Sequence, residues 1–141
     1  MLDRQIEEEL VPLCVENNVA VLSYSSMALG LLSGKIGPDR VFEGDDLRRE
    51  NPKFSVENRQ RVADFMKVLQ PIAQSHNVEP GQIVIAWTIA QKGITFSLCG
   101  ARNAQQAIEN AHAGEIALTA EEIAIIDQAI AAHLGPVARA A

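Results

Sequence analysis

The stretch TFSLCGARNAQQAIEN, residues 95–110, contains the parts of an anion-binding turn in succession. A short, apolar, β-like run leads into Gly100, one arginine follows at position 102, and a helical pattern begins directly behind it. Glycine lets the backbone approach a ligand closely, and the free N–H groups of a helix start favour negative charge. The stretch therefore predicts a strand, a turn and a helix, with an anion held at the turn.

A second strand is predicted upstream. The segment VAVLSYS, residues 19–25, is continuously apolar rather than alternating, as expected for a strand buried on both faces. ITFSLCG, residues 94–100, is the strand of the opening stretch. Long helical segments separate the two, which predicts parallel pairing and a helix-rich α/β architecture. Two parallel strands do not make an independent covered sheet, so the pattern is typical of the tail of a larger fold.

Helical patterns and caps account for most of the remaining chain. Helices are predicted over residues 3–18, 55–77, 79–93, 103–114 and 119–135. Asp3 is expected to cap the first helix and Ser55 the second, and Thr119 with Glu122 forms a capping box for the last. Pro12 is a candidate kink. The apolar face predicted for the first helix consists of Ile6, Leu10, Leu13 and Cys14.

A long connection is predicted between the first strand and the second helix. Residues 27–37 contain three glycines and predict a loop with one turn of helix. Residues 38–54 are charged, contain Pro38 and Pro52, and lack helical periodicity. Long loops in compact domains are usually functional lids or disordered segments, and both interpretations stay open here.

Composition excludes several classes of protein. The 141 residues are 48% hydrophobic, which suits one domain with a core, and the net charge of −6 argues against nucleic acid as a partner. Two cysteines without CxxC spacing exclude a Cys-rich zinc site and a disulfide framework, and they favour a reducing cytoplasm. No histidine pair has metal spacing, so no metal is predicted. The charged start predicts no signal peptide, and no apolar run approaches the ~20 residues of a membrane span.

Two segments resemble the cofactor-binding segments of the aldo-keto reductase family. VLSYSSMALGLLSGK, residues 21–35, is similar to the family segment tyrosine-serine-proline-leucine-alanine-x-glycine that ends in glycine and lysine. GARNAQQAIEN, residues 100–110, is similar to its glycine-[serine or alanine]-arginine segment with a later glutamine, glutamate and asparagine. DDLRRENPKF (45–54) resembles the substrate-side loop, and EPGQIVIAWTIAQKG (79–93) resembles the penultimate barrel helix. The resemblance covers essentially the whole chain.

The resemblance implies a (β/α)8 TIM barrel. Residues 1–141 then form a single partial domain, the C-terminal portion of the barrel from the helix after strand six onward, which carries the cofactor-binding segments. The family's catalytic aspartate, tyrosine, lysine and histidine come from earlier strands, so no position here inherits a catalytic role. Tyr24, the only tyrosine, aligns with an aromatic that stacks on the cofactor.

The resemblance places the 2′-phosphate of NADP(H) at the Gly100–Arg102 turn. An arginine fork can hold a phosphate through two parallel hydrogen bonds, and strand end, glycine and helix start coincide there. The alternative is an arginine that only solvates the turn. Gln106, Glu109 and Asn110 share one helical face, which the resemblance puts against adenine and its ribose. Without the resemblance, a solvated polar face is the simpler interpretation.

The end of the first strand is expected to hold the other half of the cofactor. By resemblance Tyr24 stacks on the nicotinamide; the alternative is a tyrosine packed at the barrel rim. The loop that would cradle the pyrophosphate consists of Ser25, Ser26, Met27, Ala28 and Leu29. Ser26 replaces the family's proline, which frees φ and predicts a softer loop. Lys35 matches the family lysine that reaches the phosphates, and Arg48 is a further candidate whose register is ambiguous with Arg49.

Three other residues are assigned structural positions. Trp87 lies on an apolar helix face and is predicted in the core. Cys99 is predicted to be a buried, inert thiol, since free cysteine behaves as a small apolar residue. His112 is predicted on the surface.

Three interpretations of the whole chain remain open. It is the NADP(H)-binding portion of a carbonyl reductase, inactive by itself; a remnant or self-associating structural protein without cofactor binding; or one chain of a split reductase. All three leave two apolar strands with exposed edges, which drive association. A homo-oligomer that buries the two strands, or a rearrangement of the chain at these strands, is therefore expected.

Overall fold

The computed structural model describes residues 1–135, so the predicted unit over residues 1–141 extends beyond the described part. Within it, the α-helices are α1 (Leu10–Glu16), α2 (Val56–Ser75), α3 (Pro80–Ala90), α4 (Ala104–His112) and α5 (Ala120–His133). The strands are β1 (Leu22–Ser23) and β2 (Phe96–Ser97). Short 3₁₀ turns lie at Gln5–Glu7, Ala28–Ser33, Pro52–Phe54 and Ala113–Glu115.

The two strands are parallel neighbours, as predicted. Leu22 lies opposite Phe96 and Ser23 opposite Ser97. The pairing continues where Leu98 N donates to Ser23 O at 2.9 Å. Both strands are shorter than the predicted ranges, and within residues 1–135 each has the other as its single partner. Their carboxyl ends lie at the same edge, which is where barrels of this type carry their sites.

The core lies among α2, α3 and α5. Phe65, Ile83, Trp87 and Ile126 are almost completely inaccessible to solvent, which confirms the predicted position of Trp87. Its indole N–H donates to Asp127 Oδ1 at 3.0 Å, so the one polar group of the buried ring has a partner.

Two helix starts follow the predicted capping chemistry. Ser55 Oγ accepts from the backbone N–H of Asn58 at 3.2 Å and begins α2. The reciprocal box at α5 is also present, since Thr119 Oγ1 accepts from Glu122 N and Glu122 Oε2 accepts from Thr119 N. Each cap satisfies N–H groups that the helix itself leaves unpaired.

The prediction for the first helix was wrong. Residues 3–18 divide into a 3₁₀ turn and α1, and the Asp3 carboxylate pairs with Lys53 instead of capping. Pro12 falls in the first turn of α1, where a missing N–H costs nothing, so no kink forms. The face of Ile6, Leu10 and Leu13 is exposed, and the buried residue is Val11. Ile6 and Leu10 line an open groove rather than a closed core.

Candidate functional site

The predicted cofactor segments meet at the carboxyl edge of the two strands. Tyr24 directly follows β1, and Gly100 lies three residues beyond the end of β2. Because β1 and β2 run in parallel, both loops leave the sheet on the same side. The fold therefore brings together two segments that are more than seventy residues apart in the chain.

Tyr24 presents an open aromatic ring at this edge. Its side chain is 85% exposed, so the described residues do not pack it into a rim. An exposed ring has both faces available for stacking on a flat ligand.

Three serine hydroxyls fasten the loop after β1 to both strands. Ser26 Oγ lies 3.0 Å from Ser23 Oγ and accepts from Ser97 Oγ at 2.8 Å. Ser97 Oγ also lies 3.4 Å from the Cys99 thiol. Cys99 is therefore half-buried beside hydroxyls, not buried in apolar surroundings as predicted. Hydrogen bonds from Ser26 thus replace the constraint that a proline ring supplies in the family segment.

The same loop contains a run of unusual backbone conformations. Ser25, Ala28 and Leu29 all have positive φ, at 59°, 48° and 55°. Side chains with a Cβ rarely adopt this region, and each instance costs on the order of 1 kcal/mol or more. Such strain persists only where the surroundings fix it, and it is common at ligand-binding loops.

One neighbour that fixes the loop was missed by sequence reasoning. Gly81 opens α3, and a Cβ placed there would lie 3.0 Å from Met27 Cε and 3.5 Å from Ser33 Cα. The absent side chain lets the start of α3 pack directly on the backbone of the loop. Sequence alone showed only a glycine after a proline, which is ordinary for a helix start.

The turn after β2 is closed by its own side chains. Gln106 Oε1 accepts from Arg102 N at 2.9 Å, and Asn103 Oδ1 accepts from Gln106 N at 2.9 Å. Asn110 Nδ2 donates to Gly100 O at 3.2 Å and ties α4 back to the strand end. The Arg102 side chain is exposed, and a Cβ on Gly100 would meet nothing within 4 Å. The space beside Gly100 is therefore open for a ligand.

The three predicted polar residues of α4 share one half-buried face. Gln106, Glu109 and Asn110 are partly covered, while most of their helical neighbours are exposed. Gln82 Nε2 donates to Glu109 O at 2.9 Å and approaches His112 Nδ1 at 3.4 Å, which anchors α4 to α3. His112 itself is largely exposed, as predicted.

The charged loop between β1 and α2 is ordered by a buried arginine. Arg59, only 6% exposed, donates to Phe54 O at 2.9 Å, Gly37 O at 3.0 Å and Arg40 O at 2.6 Å. Its guanidinium also lies 5.4 Å from the Phe42 ring centroid. A residue of α2 thus holds the loop at several points, and the function of the loop stays a prediction.

Arg48, not Arg49, makes the main contacts of this loop. Its Nε and Nη2 donate to Asp46 Oδ1 at 2.8 Å and Oδ2 at 2.5 Å, and its guanidinium lies 4.8 Å from the Phe42 centroid. Arg49 makes a single long contact with Gly44 O at 3.5 Å. Which of the two arginines reaches the cofactor stays a prediction.

Asp46 lies in the field of two arginines. The pKa of Asp46 is lowered to about 2, chiefly by hydrogen bonds from the side chain and backbone of Arg48, with a smaller contribution from the charge of Arg102. The side chain of Lys35 is exposed on the loop after β1.

Residues 1–135 contain neither a metal-binding cluster nor a membrane-spanning helix. No group of three or more histidine, cysteine, aspartate or glutamate side chains there is arranged to hold a metal ion. No helix in the same part of the chain is long and apolar enough to cross a membrane.

Parallel strands, covering helices and polar loops at the carboxyl edge define a portion of a β/α barrel. The chain belongs to the aldo/keto reductase family, whose model matches residues 1–131. It is 36% identical over 111 residues to the aldo-keto reductase str7 of Strobilurus tenacellus, covering 79% of this chain and 33% of that protein. It is 34% identical over 119 residues to the NADH-specific methylglyoxal reductase of Escherichia coli, covering 84% of this chain and 36% of that protein.

A solved structure gives the same result for the fold. The glycerol dehydrogenase of Gluconobacter oxydans superposes with a TM-score of 0.85 at 28% identity, over 99% of this chain and 42% of the other. The TIM-barrel class and the family are therefore confirmed. The chain spans about a third of the length of the curated relatives, 33% and 36% in the two cases above.

Proposed function

We propose that this chain carries the NADP(H)-binding portion of an aldo-keto reductase. The observation that supports it most is the meeting of two loops at one strand edge, with Arg102 on one side and the strained Tyr24–Leu29 loop on the other. A dinucleotide has phosphates in its middle and a flat ring at each end. The exposed ring of Tyr24 and the amide-bearing face of α4 would each receive one of the rings. Arg102 and the open backbone of the loop would receive the phosphates.

The described residues fit such a cofactor. Arg102 would hold the 2′-phosphate, together with the N–H groups of Ala104 and Gln105, which have no partner within α4; the N–H of Gln106 already donates to Asn103 Oδ1. Gln106, Glu109 and Asn110 would contact the adenosine, and Tyr24 the nicotinamide. Lys35 would add positive charge on the phosphate side, and Arg48, which is paired with Asp46, is a further candidate there.

In the complete enzyme, bound NADPH supplies the hydride that reduces a carbonyl compound. The residues of this chain would bind and orient the cofactor, and they would leave the alkoxide product to be protonated elsewhere. We therefore expect the 141-residue chain to bind cofactor weakly and to reduce no aldehyde by itself. We also place it in the cytoplasm.

Calorimetric titration of the 141-residue chain with NADPH and with NADH tests this proposal. Both cofactors are needed because the name of one relative specifies NADH. Arg102→Gln is expected to weaken NADPH binding by about tenfold or more, the scale of a lost bidentate contact, and NADH binding much less. Arg40→Gln, an exposed arginine in the loop after β1, is the matched control.

An aldehyde-reduction assay on the same sample separates the remaining alternatives. No binding of either cofactor would favour the remnant. Turnover that is abolished by Tyr24→Ala would favour an active site assembled between chains. Reading the DNA upstream of the Met1 codon distinguishes a split gene from a longer open frame.

A further inference from the structure

A series of side-chain hydrogen bonds joins the loop after β1 to β2. Ser97 Oγ donates to Ser26 Oγ at 2.8 Å, and Ser26 Oγ lies 3.0 Å from Ser23 Oγ. Ser23 Oγ in turn donates to Phe96 O at 3.2 Å. The Cys99 thiol lies 3.4 Å from Ser97 Oγ, and all three serines are half-buried. The series therefore begins and ends on β2 and passes through the loop at Ser26.

The direction of each bond follows from the number of hydroxyl protons. A serine hydroxyl carries one hydrogen and accepts through its lone pairs. Because Ser23 donates its proton to a backbone carbonyl, the bond between Ser26 and Ser23 uses the proton of Ser26. Because Ser97 donates to Ser26, its contact with Cys99 uses the proton of the thiol. Ser26 thus donates toward β1 and accepts from β2, and Ser97 is the residue of β2 that donates to it.

The backbone on both sides of Ser26 is strained. Ser25 precedes it with a positive φ, and Ala28 and Leu29 follow with positive φ. Residues with a Cβ keep this conformation only where their surroundings fix it, so the loop tends to relax when a fixing contact is lost. The apparent affinity for a ligand falls with the fraction of the protein that is in the binding conformation. A bond that keeps the loop strained therefore raises the affinity for whatever the loop binds.

We infer that Ser97 is a positioning residue, which holds residues 25–29 in the conformation that receives the pyrophosphate of the cofactor. It acts through its hydrogen bond to Ser26. The inference rests on the proposed function, because it presumes that this loop binds the pyrophosphate. Pyrophosphate is common to NADP(H) and NAD(H), so Ser97 affects both cofactors equally, whereas Arg102 distinguishes them.

Calorimetric titration of the 141-residue chain with NADP+, NAD+ and adenosine 2′-monophosphate tests the inference. Ser97→Ala removes the donor, and Ser97→Thr keeps the hydroxyl on a residue that suits a strand. Thr95→Val is the matched control. It removes another side-chain bond between the strands, the one from Val21 N to Thr95 Oγ1 at 3.0 Å, which lies at the opposite end of β2 from the loop. Thermal melting checks that each variant is folded.

Ser97→Ala is expected to weaken NADP+ and NAD+ binding by the same factor, about three- to tenfold, the scale of one hydrogen bond. Adenosine 2′-monophosphate has no pyrophosphate, so its affinity is expected to stay within about twofold. Ser97→Thr and Thr95→Val are expected to keep the wild-type affinities for all three ligands. Ser97→Ala combined with Ser26→Ala is expected to weaken binding no more than Ser26→Ala alone, because both substitutions remove the same bond.

The same titrations separate this inference from the proposed function. Equal weakening of adenosine 2′-monophosphate in Ser97→Ala would overturn the inference, because Ser97 would then act on the Arg102 turn that follows β2. Additive effects of Ser97→Ala and Ser26→Ala, or an equal loss in Thr95→Val, would also overturn it. If the wild type binds NADP+ and Ser97→Ala binds it equally well, the proposed function stands and the inference fails. If the wild type binds neither dinucleotide, both fail.

Discussion

At the scale of single residues, Ser26 shows how a departure from the family segment is accommodated. A proline at this position would fix φ and remove an N–H. Serine gives up that constraint, but its hydroxyl joins the strained loop to Ser23 of β1 and Ser97 of β2. The loop is thereby held by contacts between strands instead of by a ring.

Ser26→Ala tests this role. Removing the shared hydroxyl is expected to lower the free energy of unfolding by about 1 kcal/mol, the usual net value of a hydrogen bond. Ser25→Ala is the control, because the described residues give the Ser25 hydroxyl no hydrogen bond and its backbone already has a positive φ. Urea unfolding measures both. Equal losses would show that the bonds of the Ser26 hydroxyl add no stability.

At the scale of elements, the long loop depends on α2. Arg59 is the only described residue of that helix that bonds to three separate carbonyls of the preceding segment, at Gly37, Arg40 and Phe54. A buried guanidinium without a carboxylate partner is stable only because these carbonyls satisfy it.

Arg59→Met keeps the volume and removes the donors. We expect a loss of roughly 2–4 kcal/mol in the free energy of unfolding, since three carbonyls lose their partner and the packing on Phe42 changes. We also expect faster cleavage by thermolysin within residues 36–51, where Val41 and Leu47 are exposed. Arg40→Met, an exposed arginine in the same loop, is the control. Unchanged cleavage in Arg59→Met would contradict the anchor.

A second link between elements joins the end of α2 to the start of α5. His76 Nε2 lies 2.9 Å from Glu122 Oε1, and Glu122 also closes the capping box of α5. Burial alone would raise the pKa of Glu122, but the backbone N–H of Thr119 and the His76 ring outweigh it, and the net pKa lies below its ordinary value.

A depressed carboxyl pKa stabilises the fold above the unfolded pKa, and that contribution is lost as the pH falls through the folded value. Glu122→Gln preserves the capping box and removes the charge. We expect it to cost up to about 1 kcal/mol at pH 7 and nothing measurable once the wild-type carboxyl is protonated in acid. Glu121→Gln, exposed in the same turn, is the control for the helix dipole. A cost of Glu122→Gln that did not shrink in acid would contradict a role of the charge.

The elements that the sequence predicted well are those with local chemistry. Ser55 and the Thr119–Glu122 pair specify helix starts through bonds within a few residues, so their pattern predicts them without tertiary information. The helix predicted over residues 3–18 failed because residues 1–135 leave its apolar face largely uncovered. The pair of Asp46 and Arg48 was not predicted either, because a charged loop has no periodicity to fix which side chains meet.

At the scale of the whole molecule, the chain has a core on one side and an open apolar surface on the other. α2, α3 and α5 enclose the core, whereas Leu22, Phe96 and Leu98 remain 52%, 56% and 49% exposed. Beside β1 lies a groove of about 810 Å³, lined by residues of α1, β1 and the end of α3. The sequence predicts β1 as a strand buried on both faces. The described residues cover neither its outer edge nor its side toward the groove.

Free strand edges and exposed apolar side chains favour association, so we expect the 141-residue chain to self-associate through this surface. Replacing Leu22 and Phe96 together by lysine is expected to weaken the association by about tenfold or more, because each large apolar side chain removed from a buried contact is worth ~1.5–3 kcal/mol. Ile108→Lys, an exposed apolar residue on α4 away from both strands, should leave association unchanged.

Sedimentation and light scattering at micromolar concentration measure the size of the particles formed by the wild type and by each variant. A monodisperse wild-type monomer with a cooperative thermal transition would show that the two strands and their helices are stable without association. A larger effect of Ile108→Lys than of the double lysine variant would show that the chains associate through α4 instead.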